Sequence, residues 1–178
     1  MTKLTSETAA IIRAYEDADH AGVVDLFIRI NRELAPLEMR ERFEQYIQTS
    51  IDGEMSRLSE VFSEAKRNAF WVVEIGDGII GMFGIEWRSN ESTEFRRMYL
   101  DRRHRGRGIA QRMLECAEMR ARELGFAKLV LSTAEVQEAA IAFYRKSGYS
   151  LVRTERADSM STKTVGGGLT RFHFEKVL

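Results

Sequence analysis

A length of 178 residues suits one domain with room for an embellishment, and 44% hydrophobic with 30% charged residues is the balance of a globular chain that buries its own core. Lys+Arg 27 cancel Asp+Glu 27, so no global field points toward nucleic acid or a membrane surface, and electrostatic specialisation has to be local. The single cysteine, Cys116, excludes an internal disulfide, and His20, His104 and His173 lack metal-ligand spacing, so no metal is expected.

In chain order, the opening MTKLTSETAA has no long apolar run of the signal-peptide kind, and no stretch approaches membrane-spanning length, so a cytoplasmic location is expected. Ala10–Ala14 reads as a short strand. Asp17 offers an N-cap for an amphipathic helix running to about Asn31, with Val23, Val24, Phe27 and Ile28 on its apolar face. From Leu37 to Arg67 the pattern stays helical. Phe43, Tyr46, Ile47, Ile51, Met55, Leu58 and Phe62 trace its stripe, interrupted near Asp52-Gly53. Phe70–Ile75 and Ile79–Trp87 are β-branched and aromatic, with Gly76-Asp77-Gly78 as a hairpin signal between them. A strand over Thr93–Leu100 leads to a helix over Gly108–Leu124, closed by Gly125. Lys128–Thr133 is a buried-type strand, Gln137–Ser147 a short helix ended by Gly148, and Tyr149–Arg156 and Thr170–Val177 are the last strands. Cys116 falls within an apolar helical pattern, which makes it a small hydrophobe rather than a nucleophile. The order β-α-α-β-β-β-α-β-α-β-β implies a mixed α/β fold, with helices on both faces of one sheet, as one domain over residues 1–178.

Chemistry concentrates where the strand EFRRMYL meets the next helix. Arg103-His104-Arg105-Gly106-Arg107-Gly108-Ile109-Ala110 ends a turn in two glycines at a helix N-terminus. Consecutive backbone N–H groups there form a site for an anion, phosphate above all, and a glycine leaves room for its oxygens. A nucleotide P-loop is excluded because no Gly-Lys-Ser/Thr follows, and a dinucleotide fingerprint because Gln111 stands where glycine or alanine is required. Four arginines, Arg102, Arg103, Arg105 and Arg107, attract phosphates, but no aromatic platform or basic helix extends them into a nucleic-acid patch.

The run Arg103-x-x-Gly106-x-Gly108 matches the acyl-coenzyme A signature Arg/Gln-x-x-Gly-x-Gly/Ala, and a register two residues on, Arg105-x-x-Gly108-x-Ala110, matches as well. Downstream, Gln137-x-x-Ala140-x-x-Phe143-Tyr144-x-x-x-Gly148-Tyr149 follows the pattern Asn-x-x-Ala-x-x-Leu-Tyr-x-x-x-Gly-Phe. With its flanking strands and helix in the same order, the region resembles the GNAT superfamily of acetyltransferases. The resemblance implies a central mixed, mostly antiparallel sheet of about seven strands and acetyl-CoA as co-substrate. It implies that amides from Arg103 to Gly108, continuing through Ile109 and Ala110, hold the pyrophosphate, and that the strand edge at Met98, Tyr99 and Leu100 pairs with the pantetheine arm. Ala140 and Phe143 fall with the same cofactor-facing segment. Gln137 replaces the usual asparagine; it keeps an amide with a longer reach. A homodimer is a further expectation carried by the resemblance alone.

The same resemblance makes Tyr144 the general acid, whose phenol donates to the departing thiolate, against the bland reading of a core aromatic. Glu94 is the candidate base for the acceptor amine, or equally a surface glutamate at a strand end, with Glu86 in reserve. Strict alternation would put Glu94, Arg96, Met98 and Leu100 on one face, with Arg96 able to consume Glu94 in an ion pair. The implied reaction is direct transfer to a primary amine, with a small-molecule acceptor expected. A longer acyl donor, a protein amine as acceptor, and a coenzyme-binding sensor without turnover stay open. The acceptor pocket is expected from region 31–67 and the 157–169 connection, which reads either as a lid hinged at Gly166-Gly167-Gly168 or as a plain hairpin linker.

Overall fold

The structure, a computed structural model, describes residues 9–178. The first eight residues, on which the expectation about a leader rests, lie outside the described part. Among the described residues, seven strands form one sheet: β1 (Ile11–Ala14), β2 (Ala69–Ile75), β3 (Gly78–Trp87), β4 (Ser92–Leu100), β5 (Lys128–Ala134), β6 (Ser150–Ala157) and β7 (Leu169–Val177). Their spatial order is β1-β2-β3-β4-β5-β7-β6. Every neighbouring pair is antiparallel except β4 with β5, so the sheet is mixed and mostly antiparallel, as expected.

Helices cover both faces. On one, α1 (His20–Leu34), α2 (Arg40–Asp52) and the single turn α3 (Leu58–Val61) pack Val23, Phe27, Phe43 and Leu58 against Phe70, Val72 and Met82. On the other, α4 (Ile109–Glu123) and α5 (Glu138–Lys146) set Met113, Leu114, Ala117 and Tyr144 against Phe83, Ile85, Phe95 and Leu129. Each face removes a continuous apolar layer from water, the main stabilising contribution to such a sandwich. Among the described residues no helix is long and apolar enough to cross a membrane.

Two expectations about the first helices need correction. Asp17 does not cap α1: residues 17–19 form a tight 3₁₀ turn, and the helix proper starts at His20. The Glu16 amide donates to the Asp19 carboxylate at 2.9 Å, while Arg13 clamps that carboxylate at 2.7 and 2.8 Å. The Arg13 guanidinium holds the Asp19 carboxyl below its usual range. The 37–67 stripe is interrupted near Asp52-Gly53 as expected, but it breaks again beyond that point. Gly53 ends α2, and 3₁₀ turns at 55–57 and 64–66 flank the short α3. The break turns Glu54 inward to 8% exposure, which bears on the site below.

Candidate active site

A split in the sheet creates the principal cleft. β4 and β5 pair from Ser92↔Lys128 to Phe95↔Leu131 and no further. Beyond that point β4 stays with β3 as far as Leu100↔Gly81, while β5 stays with β7 as far as Ala134↔Arg171. The strands diverge into a cleft of about 720 Å³, walled by residues 94–100 on one side and 132–134 on the other.

A bulge decides what β4 presents to it. Arg97 has φ of 55°, and the register against β3 slips between Met82 and Gly84, so two β4 residues oppose one on β3. A bulge of this kind reverses the alternation beyond it. Glu94, Arg96 and Arg97 therefore turn to the α1–α2 side, and Tyr99 packs there edge-on to Phe27 at 5.6 Å. Met98 and Leu100 belong to the opposite, α4–α5 layer. The expected common face of Glu94, Arg96, Met98 and Leu100 is thus split in two.

Past β4 the chain makes a 3₁₀ turn at Arg102–His104. Asp101, buried to 2%, accepts from the Arg103 amide at 2.9 Å and is gripped by the side chains of Arg103 and Arg29 at 2.8 and 2.7 Å. Those guanidiniums and the amide hold its carboxyl well below the carboxylate range. The amides of His104 and Arg105 return to Asp101 and Arg102 carbonyls. Three of the six loop amides expected to face a phosphate are therefore already engaged. The amides of Gly106, Gly108, Ile109 and Ala110 donate to no backbone carbonyl among the described residues. Gly106 and Gly108 both sit at φ of 75°, and a Cβ added at either would meet no atom within 4 Å. The glycines serve a left-handed turn opening onto free space at the start of α4, a cradle open to an anion. Arg105 and Gly106 line the cleft; Arg105 is tied to the Leu100 carbonyl at 3.0 Å. Ile109 turns its side chain into the core, Ala110 faces the cleft, and His104 keeps Nδ1 buried and unpartnered.

Helix α5 forms the opposite lip, with Ala140, Phe143 and Tyr144 lining the cleft. Tyr144 is 6% exposed, and its hydroxyl donates to the Met98 sulfur at 3.3 Å. Burial pushes its pKa up, so the phenol is a proton donor throughout the neutral range. Gln137 precedes α5 and turns its carbonyl back to the Thr133 hydroxyl at 2.7 Å. That leaves only its NH₂ for a ligand. Cys116 lies against the core on α4, where burial raises its thiol.

The far end of the cleft is charged, and most of that charge is invisible in local sequence. Glu54 bridges Arg96 and Arg97 at 2.6 and 2.8 Å, with both arginines 7% exposed. Arg97 also lies over the Phe27 ring at 5.2 Å and donates to the Tyr46 hydroxyl and the Thr162 carbonyl. Glu86 pairs with Arg96 and Lys163 at 2.7 and 3.0 Å. Burial alone would raise the Glu86 carboxyl, but Arg96 and Lys163 outweigh it and hold it below its ordinary value. Glu94 pairs with Lys163 at 2.9 Å and Arg88 at 3.5 Å, so its partner is not the neighbouring Arg96 expected from the strand pattern. Lys163 comes from the 157–169 connection. A bridge between Ser161 and Thr164, together with Arg42 bonds to the Val165 and Asp158 carbonyls, fastens that segment down as a roof. The tandem Arg96-Arg97 inside a buried strand is a further local sign of this cluster, beside the expectations for Glu94, Glu86 and the 157–169 connection.

The model of the acetyltransferase (GNAT) family matches residues 28–149. Human N-acetyltransferase 8 is 24% identical over 110 residues, covering 59% of this chain and 48% of its own. The uncharacterized N-acetyltransferase YjgM of Escherichia coli strain K12 is 32% identical over 104 residues, covering 57% and 62%. The chain spans about half the length of the first curated relatives it matches. Among solved structures, the PaiA N-acetyltransferase of Thermoplasma acidophilum in complex with coenzyme A superposes with a TM-score of 0.75 at 19% identity, over 96% of this chain and 99% of that one. An acetyltransferase from Streptococcus agalactiae gives 0.74 at 16% identity, over 95% and 98%. The solved structures share the fold, and the family match spans more than half of the sequence: the chain belongs to the acetyltransferase (GNAT) family.

Proposed function

We propose that the chain is an acetyl-CoA-dependent N-acetyltransferase acting on a primary amine of a small molecule, by direct attack within a ternary complex. The observation that carries this reading is the divergence of β4 from β5 between an open glycine cradle and a buried tyrosine hydroxyl. Family membership, the N-acetyltransferase relatives and a like-folded neighbour solved with coenzyme A support it.

The thioester supplies an activated acetyl group; the protein supplies position and proton handling. The amides of Gly106, Gly108, Ile109 and Ala110 bind the diphosphate at the α4 N-terminus. The edge of β4 at Met98, Tyr99 and Leu100 aligns the pantetheine arm, with the free Gln137 NH₂ as a further donor. A strand N–H near Met98 stabilises the oxyanion. The Tyr144 hydroxyl rests on a thioether, a weak acceptor, so it transfers its hydrogen bond to a departing thiolate at little cost. Glu94 receives the amine proton, directly or through water. Cys116, inside the α4 core layer, takes no part. The roof at residues 162–165 closes the acceptor end into a pocket, which favours a small acceptor over an extended polypeptide.

One observation favours a second reading, a coenzyme-binding module without turnover: Lys163 engages both Glu94 and Glu86, so neither candidate base is unpaired. A thiol-release assay with acetyl-CoA and a broad amine panel, beside calorimetric titration of CoA, separates the two. Release with one acceptor class is expected. In Tyr144→Phe, kcat is expected to fall about 10²- to 10³-fold with CoA affinity retained. Tight CoA binding with no release on any amine supports the module, and absence of CoA binding sinks both.

A further inference from the structure

Three carboxylates, Glu54, Glu86 and Glu94, answer three cations at the acceptor end, Arg96, Arg97 and Lys163. A fourth cation has no such partner. Arg171 stands on β7 opposite Ala134, where β5 has already parted from β4, and it lines the same cleft. Its guanidinium donates to the Ser132 hydroxyl, and among the described residues no carboxylate lies within ion-pair distance of it. The nearest acids are committed elsewhere: Glu94 to Lys163 at 2.9 Å, and Glu155 to His173 and Arg153 at 2.8 and 3.0 Å. A partly buried guanidinium lacking a counter-ion carries a desolvation cost that a bound anion would relieve, and its planar fork matches a carboxylate. Burial already disfavours its charged form.

We propose that Arg171, with Ser132, binds the carboxylate of the acceptor, so that the substrate class is amines that carry a carboxylate, as amino acids do. This rests on the N-acetyltransferase reading above. Glu94 lines the same cleft as Arg171 and carries the opposite charge. A zwitterionic acceptor held by its carboxylate at Arg171 thus directs its ammonium toward Glu94, the proposed proton acceptor. Once that proton is lost, the amine nitrogen attacks the thioester carbonyl. The C–N bond forms and the C–S bond breaks. The second amine proton leaves, and the thiolate is protonated, giving an N-acetyl amino acid and the free thiol.

The test compares amino acids with their carboxamides as acceptors for the intact chain and for Arg171→Gln and Arg171→Lys, with N-acetyl amino acids titrated calorimetrically into CoA-saturated protein. The parent chain is expected to prefer free carboxylates about 10- to 100-fold in kcat/KM. Arg171→Gln is expected to bring that ratio close to unity, mainly through KM, and Arg171→Lys to restore part of it. Equal use of acids and amides by the parent chain, or an equal loss on both in Arg171→Gln, overturns the proposal while leaving the acetyltransferase reading intact. Arg171-dependent binding of N-acetyl amino acids without thiol release on any amine supports the site and sinks the catalytic reading. Neither binding nor release overturns both.

Discussion

The glycine cradle takes its shape from a few consecutive residues, whereas the charged wall at the other end of the cleft draws Glu54, Glu86, Glu94, Arg96, Arg97 and Lys163 from four separate stretches of chain. The first is a local conformational device: two left-handed glycines open onto a helix N-terminus, and its amides need no distant partner. The second exists only because α2 stops at Gly53, β4 bulges at Arg97 and the 157–169 connection folds down over the sheet. A local device is robust to changes elsewhere and vulnerable at its own residues. An assembled network is vulnerable at whichever member neutralises the most charge.

That difference makes the two ends separable by mutation. The largest effect belongs to Glu54→Ala, which leaves buried Arg97 without a carboxylate and Arg96 with Glu86 alone; it is expected to cost about 3–5 kcal/mol of folding stability, read by urea denaturation. CoA titration below the unfolding transition should stay near that of the parent chain; a large loss of CoA affinity would break the separation. Gly108→Ala is the converse. It forces a side chain into a left-handed position at a cost of about 1–2 kcal/mol. CoA affinity is expected to fall by about tenfold or more as the Cβ crowds the phosphate, while the charged wall is untouched. If CoA still binds fully, the cradle is an ordinary turn. Cys116→Ala sharpens the comparison from outside both ends: its cost is expected below about 1 kcal/mol, with turnover nearly intact. Abolished turnover would overturn direct transfer.

The bulge shows most clearly where sequence reasoning stops. Period-two alternation placed Glu94 and Met98 together, and it holds until Arg97 adopts positive φ; beyond it, Met98 and Leu100 face the other layer. One inserted residue in a ladder leaves no periodic trace in nine residues, and only the tandem arginines hint at it. Beyond its expected interruption near Asp52-Gly53, the helical stripe from Leu37 to Arg67 misled in a related way. Its apolar residues are buried as the pattern requires, through three broken segments rather than one helix, because burial constrains faces more strongly than backbone continuity.

The sequence by itself determined the strand and helix order, the turn at Gly106–Gly108 and the placement of Tyr144 on a helix beside the sheet. Hydrophobic periodicity, glycine conformation and capping act over a few residues and are written locally. Only the tertiary structure decided that Glu94 meets Lys163 rather than Arg96, that Glu54 sits beneath both arginines, and that Arg171 faces the cleft without an acid. Charges pair in space across separations of tens of residues. Which of them meet depends on where the sheet splits, and that is fixed by packing on both its faces.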